Sequence, residues 1–306
     1  MRTNFIGSTL KRAIVFVFTF VVMALVFSGC GNDKKVSTPA KTAVPTVKIN
    51  GVDLNNMSPK LKAIYDRGSV IVGNDSSYPP FGFIDPATNQ AMGVEKEMAT
   101  KIAEKLTAVL GKPIKLQFES MDFGAVLSSL ATGKIDLICS CCTVTEERKK
   151  TMDFSSPYLH TKDVFLFLNE NAGKYHALND FKNLKIAANT GSSQEVRATT
   201  LSSEITSTPT ISDGILQLKS HKVDAVIVDN ITGFRYLKTN NDLASYEISD
   251  TEVKPQDKAV AMQKGSPDLQ AIVNAVVDEQ VKAGNVNKWI DEYTVKAVQM
   301  GLAKWN

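Results

Sequence analysis

Residues 135–148 read Ile135-Asp136-Leu137-Ile138-Cys139-Ser140-Cys141-Cys142-Thr143-Val144-Thr145-Glu146-Glu147-Arg148. The apolar run Ile135–Cys139 reads as a strand, and small or hydroxylated residues follow it at once. Thr145 stands where a helix N-cap belongs, with two acids in the first turn behind it. Backbone N–H groups at such a turn point outward and receive anions. Arg148, one turn later, can fork onto a carboxylate with two parallel hydrogen bonds. A plainer role stays open for it, as a solvated arginine paired with Glu146 or Asp153.

Three further strands end the same way. Val70–Gly73 runs into Asp75, Leu184–Ala188 into Thr190 and Ser192, and Asp224–Val228 into Asp229. Ser140 and Thr143 do the same after Ile135–Cys139. In open α/β sheets, ligands bind beyond the carboxyl ends of the strands. One cation and two anions there, separated by hydroxyls, suit a small zwitterion. Arg148 would hold its carboxylate and Asp229 its ammonium group. Each acid also has a plainer use. Asp229 can cap the helix that begins near Ile231, and Asp75 can close a turn with Ser76 and Ser77. Thr190-Gly191-Ser192-Ser193 is either a flexible loop or a place where backbone approaches a ligand. Tyr78, Phe81 and Phe123 are the aromatics nearest the strand ends. They are either core or a sandwich around a ligand side chain.

Strands and helices alternate along the chain. Pro59–Asp66 is a short helix before Gly68, and two prolines exclude regular structure from residues 75–81. Val94, Met98, Ile102, Leu106 and Leu110 form a helical stripe closed by Gly111. Strands are expected at 114–118, 164–168 and 259–262. Helices are expected at 123–131, 195–201, 214–220, 232–239 and 269–282, with separate turns at 287–293 and 295–302. The alternation predicts an α/β fold with parallel strands covered by helices on both faces. The pattern restarts after about residue 162, which is either a separate domain or an insertion.

Arg2, Lys11 and Arg12 precede the apolar run 13–27, and Ser28-Gly29-Cys30 follows. That order matches a secretory signal, and the run falls short of the roughly 20 residues that span a bilayer. The ending Val26-Phe27-Ser28-Gly29-Cys30 resembles a bacterial lipobox, which would make Cys30 the lipidated first residue. Residues 1–29 hold three of the 35 Lys and Arg and none of the 32 Asp and Glu, so the remainder has no formal net charge. A neutral body argues against a nucleic-acid partner. The stretch 30–56 opens rich in Lys, Thr, Ser and Pro and is expected to be a flexible tether. Cys139, Cys141 and Cys142 are too close for an easy bridge and lack nearby partners for a metal. They read as small apolar side chains.

Several ordered motifs together resemble a family. They are Asp75-Ser-Ser-Tyr78-Pro-Pro-Phe81, Gly93-Val-Glu-Lys-Glu97, Met121-Asp-Phe123, Gly133-Lys-Ile-Asp136, Thr143-Val-Thr-Glu-Glu-Arg148, Asp153-Phe154-Ser-Ser-Pro157-Tyr158 and Asp224-Ala-Val-Ile-Val-Asp229. From about residue 57 onward the chain looks like the bacterial extracellular solute-binding proteins of family 3, the polar amino-acid class that serves ABC importers. The resemblance implies a two-lobed type II periplasmic-binding-protein fold with crossings near 159–163 and 254–259. Lobe 1 would comprise 57–160 and 257–306, and lobe 2 would comprise 161–256. It implies that Arg148 grips a carboxylate with Thr143 and Ser192, and that Asp229 takes the ammonium with the Cys141 carbonyl. Tyr78 and Phe123 would flank the side chain and Asp75 would meet its far end. Cys141 and Cys142 depart from the Gly, Ser and aliphatic residues usual there, and Glu95 and Glu97 stand where aspartates are more usual.

With no basic partner evident for Asp75, a basic ligand such as arginine, lysine, ornithine or histidine is favoured, and Gln194 is compatible with it. Glutamine or another neutral polar amino acid comes second, and an acidic ligand would face Asp75. The expected protein is a monomeric, lipid-anchored, extracytoplasmic receptor for a free amino acid, with membrane-embedded ABC permease partners and no cofactor. The alternative from another class is an enzyme like the cyclohexadienyl dehydratases on the same scaffold.

Overall fold

The structure is a computed structural model that describes residues 48, 49, 52, 53 and 55–302. The expected signal segment, Cys30 and most of the expected tether lie outside the described residues. Within the tether's expected range, Lys48–Ile49 pairs antiparallel with Val52–Asp53.

Two sheets organise the rest. The first runs Leu159–Thr161, Gln256–Gln263, Leu137–Thr143, Ser69–Asn74, Lys115–Ser120, with Met152–Phe154 also on Gln256–Gln263. The second runs Ile205–Thr208, Ile186–Asn189, Ala225–Asp229, Asp163–Leu168, Leu243–Glu247. The chain passes from first to second between Thr161 and Asp163 and returns between Glu247 and Gln256. The strand–helix alternation predicts parallel strands, but both sheets are mixed. The strands on either side of the crossings, Asp163–Leu168 and Gln256–Gln263, run antiparallel to their neighbours. A chain that enters a second sheet without an intervening helix arrives in the reverse direction, because parallel neighbours need a long crossover.

The helices form where their punctuation places them. Ser58 accepts the Leu61 N–H at the start of Pro59–Arg67, and Gly68 ends it at φ 71°. The helix Val94–Leu110 buries its whole apolar stripe. Each such side chain stabilises the first core by roughly 1.5–3 kcal/mol relative to exposure. Asn285–Gln299 is one helix, not two separate turns, because Val286, Trp289, Tyr293 and Ala297 share one buried face. Packing of that face outweighs the weak propensity of Tyr293-Thr294-Val295. Ahead of the two prolines, Ser77–Tyr78 joins a small sheet with Gly82–Ile84 and Ala91–Met92, against the expectation of no regular structure there.

The strand Leu137–Thr143 extends four residues past Cys139, so Ser140 and Thr143 belong to the strand instead of following it. Its pairing with Gln256–Gln263 sets Lys258 opposite Thr143 and Ala259 opposite Cys142, with a register shift between Ala259 and Ala261. In the second sheet Asp163 stands opposite Asp229.

Candidate functional site

The carboxyl ends of Ser69–Asn74, Leu137–Thr143, Ile186–Asn189 and Ala225–Asp229 surround a cavity that opens to solvent, with about 460 Å³ of empty space including that opening. Ten of the residues singled out in the sequence line it: Asp75, Tyr78, Phe123, Ser140, Cys141, Thr143, Arg148, Ser192, Gln194 and Asp229. Phe81 and Thr190 do not. Phe81 is fully buried beneath Tyr78, with ring centroids 5.3 Å apart, so it supports the wall from behind. Thr190 turns away and donates to the Thr208 carbonyl at 3.0 Å.

On the first sheet's side, the Asp75 carboxylate accepts from the Ser77 N–H at 2.9 Å and its hydroxyl at 2.6 Å. The Asp75 N–H donates to Ser140 Oγ at 3.0 Å. Asp75 therefore closes its turn and still faces the cavity. Burial pushes its carboxyl up, against the pull of the Ser77 bonds, and the nearby charge of Asp122 adds to the rise. Cys141 holds φ at +47°, a left-handed backbone unusual for this residue type. Behind it Glu95, fully buried, accepts from the Cys141 N–H at 2.8 Å and the Tyr158 hydroxyl at 2.6 Å. Its second oxygen has no partner, and burial pushes the carboxyl up to about 7. Cys139, Cys141 and Cys142 are free, buried thiols.

Thr145 caps the short helix Glu146–Lys149, accepting the Arg148 N–H at 3.1 Å. The Arg148 guanidinium lies 5.4 Å from the Phe123 ring centroid. It donates to the Thr143 carbonyl at 2.8 Å and to the Gly191 carbonyl, from the second body, at 2.9 Å. The solvated pairing is not what forms: Glu146 is paired with Lys149, and Asp153 lies 3.9 Å from Lys264. Lys258, buried at 2 % exposure, donates to Thr143 Oγ1 at 2.6 Å and lines the cavity.

On the second sheet's side, Asp229 is the helix cap that its position allows. One oxygen accepts the Thr232 N–H at 3.0 Å as a helix cap, and the other is buried without a partner. Burial pushes this carboxyl up, and the positive charge of Lys258 pulls against that rise. Ser192 caps the helix Ser193–Leu201, and Ser193 donates across to Thr143 Oγ1 at 2.8 Å. Gln194 lines the cavity, but its amide N–H donates to Asp163 at 2.8 Å. Gly191 holds a left-handed backbone at φ +77°, and an added methyl would lie 3.2 Å from Leu127 Cδ1.

Asn189, Ile211 and Lys258 escaped the sequence reading, while Ser193, Ile227 and Val228 were read only as parts of a loop and a strand. Lys258 had one available signal: a strand starting at Gln256 instead of Ala259 would have put a lysine in register with the Thr143 end of its neighbour.

Residues 70–296 match the family described as bacterial extracellular solute-binding proteins, family 3. The arginine-binding extracellular protein ArtP of Bacillus subtilis (strain 168) is 30% identical over 226 residues, covering 72% of this chain and 84% of that protein. The L-cystine-binding protein TcyJ of Escherichia coli (strain K12) is 26% identical over 235 residues, covering 75% and 85%. Among solved structures, the amino acid ABC transporter substrate-binding protein AbpA of Streptococcus pneumoniae Canada MDR_19A, bound to L-arginine, superposes with a TM-score of 0.70. It is 30% identical, and the match covers 80% of this chain and 100% of that one. The fold is the two-lobed type II periplasmic-binding-protein fold. The chain belongs to the family 3 extracellular solute-binding proteins.

Proposed function

We propose that this chain is the substrate-binding component of an amino-acid ABC importer and closes two lobes around a free L-amino acid. Lobe 1 is 57–160 with 257–306, and lobe 2 is 161–256. The observation that carries this is the meeting, on one cavity, of an unpartnered Asp229 carboxylate oxygen with the Arg148 guanidinium from the other sheet. A buried polar atom without a partner costs roughly 1–3 kcal/mol, and a ligand ammonium placed there removes that cost.

Arg148 takes the carboxylate, assisted by Thr143 and Ser192. Asp229 and the Cys141 carbonyl take the ammonium. Tyr78 and Phe123 flank the side chain, with Asp75 and Ser140 at its far end and Gln194 in the wall. A basic side chain and a glutamine-like amide both satisfy Asp75. Because the ligand touches both lobes, it binds the closed state better and shifts the population toward closure. Micromolar affinity requires about 8 kcal/mol, which two charge pairs and an aromatic sandwich supply. Cys30 anchors the chain to the outer face of a membrane by its acyl chains, and a permease receives the ligand from a monomer.

Calorimetric titration with the twenty amino acids, ornithine and citrulline tests this. At least one L-amino acid is expected to bind, and Arg148→Ala is expected to abolish the heat. Silence across the panel, together with release of an aromatic product from prephenate or arogenate, would replace the receptor with a dehydratase.

A further inference from the structure

Lys258 alters the charge of the cavity. The charged side chains lining it, Asp75, Arg148, Asp229 and Lys258, are two acids and two bases, not the two acids and one base expected from the sequence. Both cations are tied to one residue. Arg148 donates to the Thr143 carbonyl at 2.8 Å and Lys258 to its hydroxyl at 2.6 Å. Neither forms an ion pair among the described residues, although Lys258 is almost fully buried. A buried lysine beside a half-buried arginine, neither of them ion-paired, is costly, and that cost marks where an anion belongs. Of the other charged groups nearby, Asp122 is exposed to solvent beside Asp75, and two are committed elsewhere. Glu95 is turned onto Cys141 and Tyr158, and Asp163 is paired with Arg197.

We infer that Lys258 shares the ligand carboxylate with Arg148 and makes this a site for an amino acid of no net charge. This rests on the receptor function proposed above and narrows its substrate class. Asp75 and Asp229 balance the two cations, so a zwitterion with an uncharged side chain leaves the closed cavity neutral. A basic amino acid would bury one uncompensated positive charge, and an acidic one would bury a negative charge. Asp75, with its carboxylate on the Ser77 turn, then accepts from an amide or hydroxyl on the side chain.

The test is the ranking of affinities on the unmodified protein, followed by Lys258→Met and Lys258→Arg. The native protein should bind its best uncharged polar amino acid at least tenfold tighter than arginine, lysine or ornithine. Lys258→Met should lose affinity for the uncharged ligand and raise the basic-to-neutral affinity ratio at least tenfold. Lys258→Arg, which keeps the charge, should preserve the native order, with thermal melts showing that each variant is folded. A native protein that prefers a basic amino acid overturns this inference and leaves the receptor function standing. So does a Lys258→Met variant that weakens both classes by the same factor. A protein that binds no amino acid takes down both. If Lys258→Met does not fold, the native ranking alone decides.

Discussion

The two walls of the cleft are finished to different degrees. On the first sheet's side nearly every polar group is already held: Asp75 by Ser77, Cys141 by Glu95, and Thr143 by Lys258 and Ser193. On the second side Asp229 presents an oxygen with no partner at all. Groups already hydrogen-bonded fix the shape of a wall, whereas an unpartnered carboxylate oxygen leaves a place for a donor. The first side keeps an attraction of its own, because Arg148 and Lys258 form no ion pair among the described residues.

Four measurements break or sharpen that contrast. The largest effect falls on the unfinished wall. Asp229→Asn keeps a capping oxygen for Thr232 but removes the charge, so melting should barely move while affinity drops by about 4 kcal/mol, near a thousandfold. A wild-type affinity in calorimetry would mean that the orphaned oxygen does not receive the ligand. Arg148→Met comes next, at about 3 kcal/mol of binding, because Lys258 remains to hold the carboxylate.

The finished wall has its own signature in pH. Glu95 binds its proton more tightly folded, at about 7, than unfolded, at the ordinary 4.5. Between those values the native state carries more protons than the unfolded state, so stability falls as pH rises from about 4.5 through 7. The loss is at most about 3 kcal/mol. Thermal melts across pH 4.5–8 should show that decline in the native protein and a flatter profile in Glu95→Gln; parallel profiles would deny the buried carboxyl its role. The smallest effect is at Thr190→Ala. It removes one hydrogen bond outside the cavity, so affinity should stay within about twofold and stability within about 1 kcal/mol.

Much of this was legible from the chain. Strand ends announce themselves through an apolar run that stops at a polar residue, and that signal located Asp75, Arg148 and Asp229 on one cavity. Caps are local, so Thr145 and Asp229 were readable as such. Lys258 was not, because its position depends on an antiparallel register set more than a hundred residues away and on a shift within it. Glu95 looked like a first-turn acid on a helix; only the packing of that helix under Cys141 reveals its burial. Phe81 and Thr190 lie in turns close to lining residues, and which way a turn residue faces is set by packing and by the Thr208 carbonyl, not by closeness in sequence.

Asp163 is the first residue of the second sheet after the outbound passage, and it accepts from Arg197, Gln194 and Gln256. Gln256 opens the strand of the return passage. One carboxylate therefore knots both connecting ribbons to the same helix. The two ribbons are thereby tied at one point instead of two. Loosening that knot would free both connections and the cavity-lining Gln194 at once.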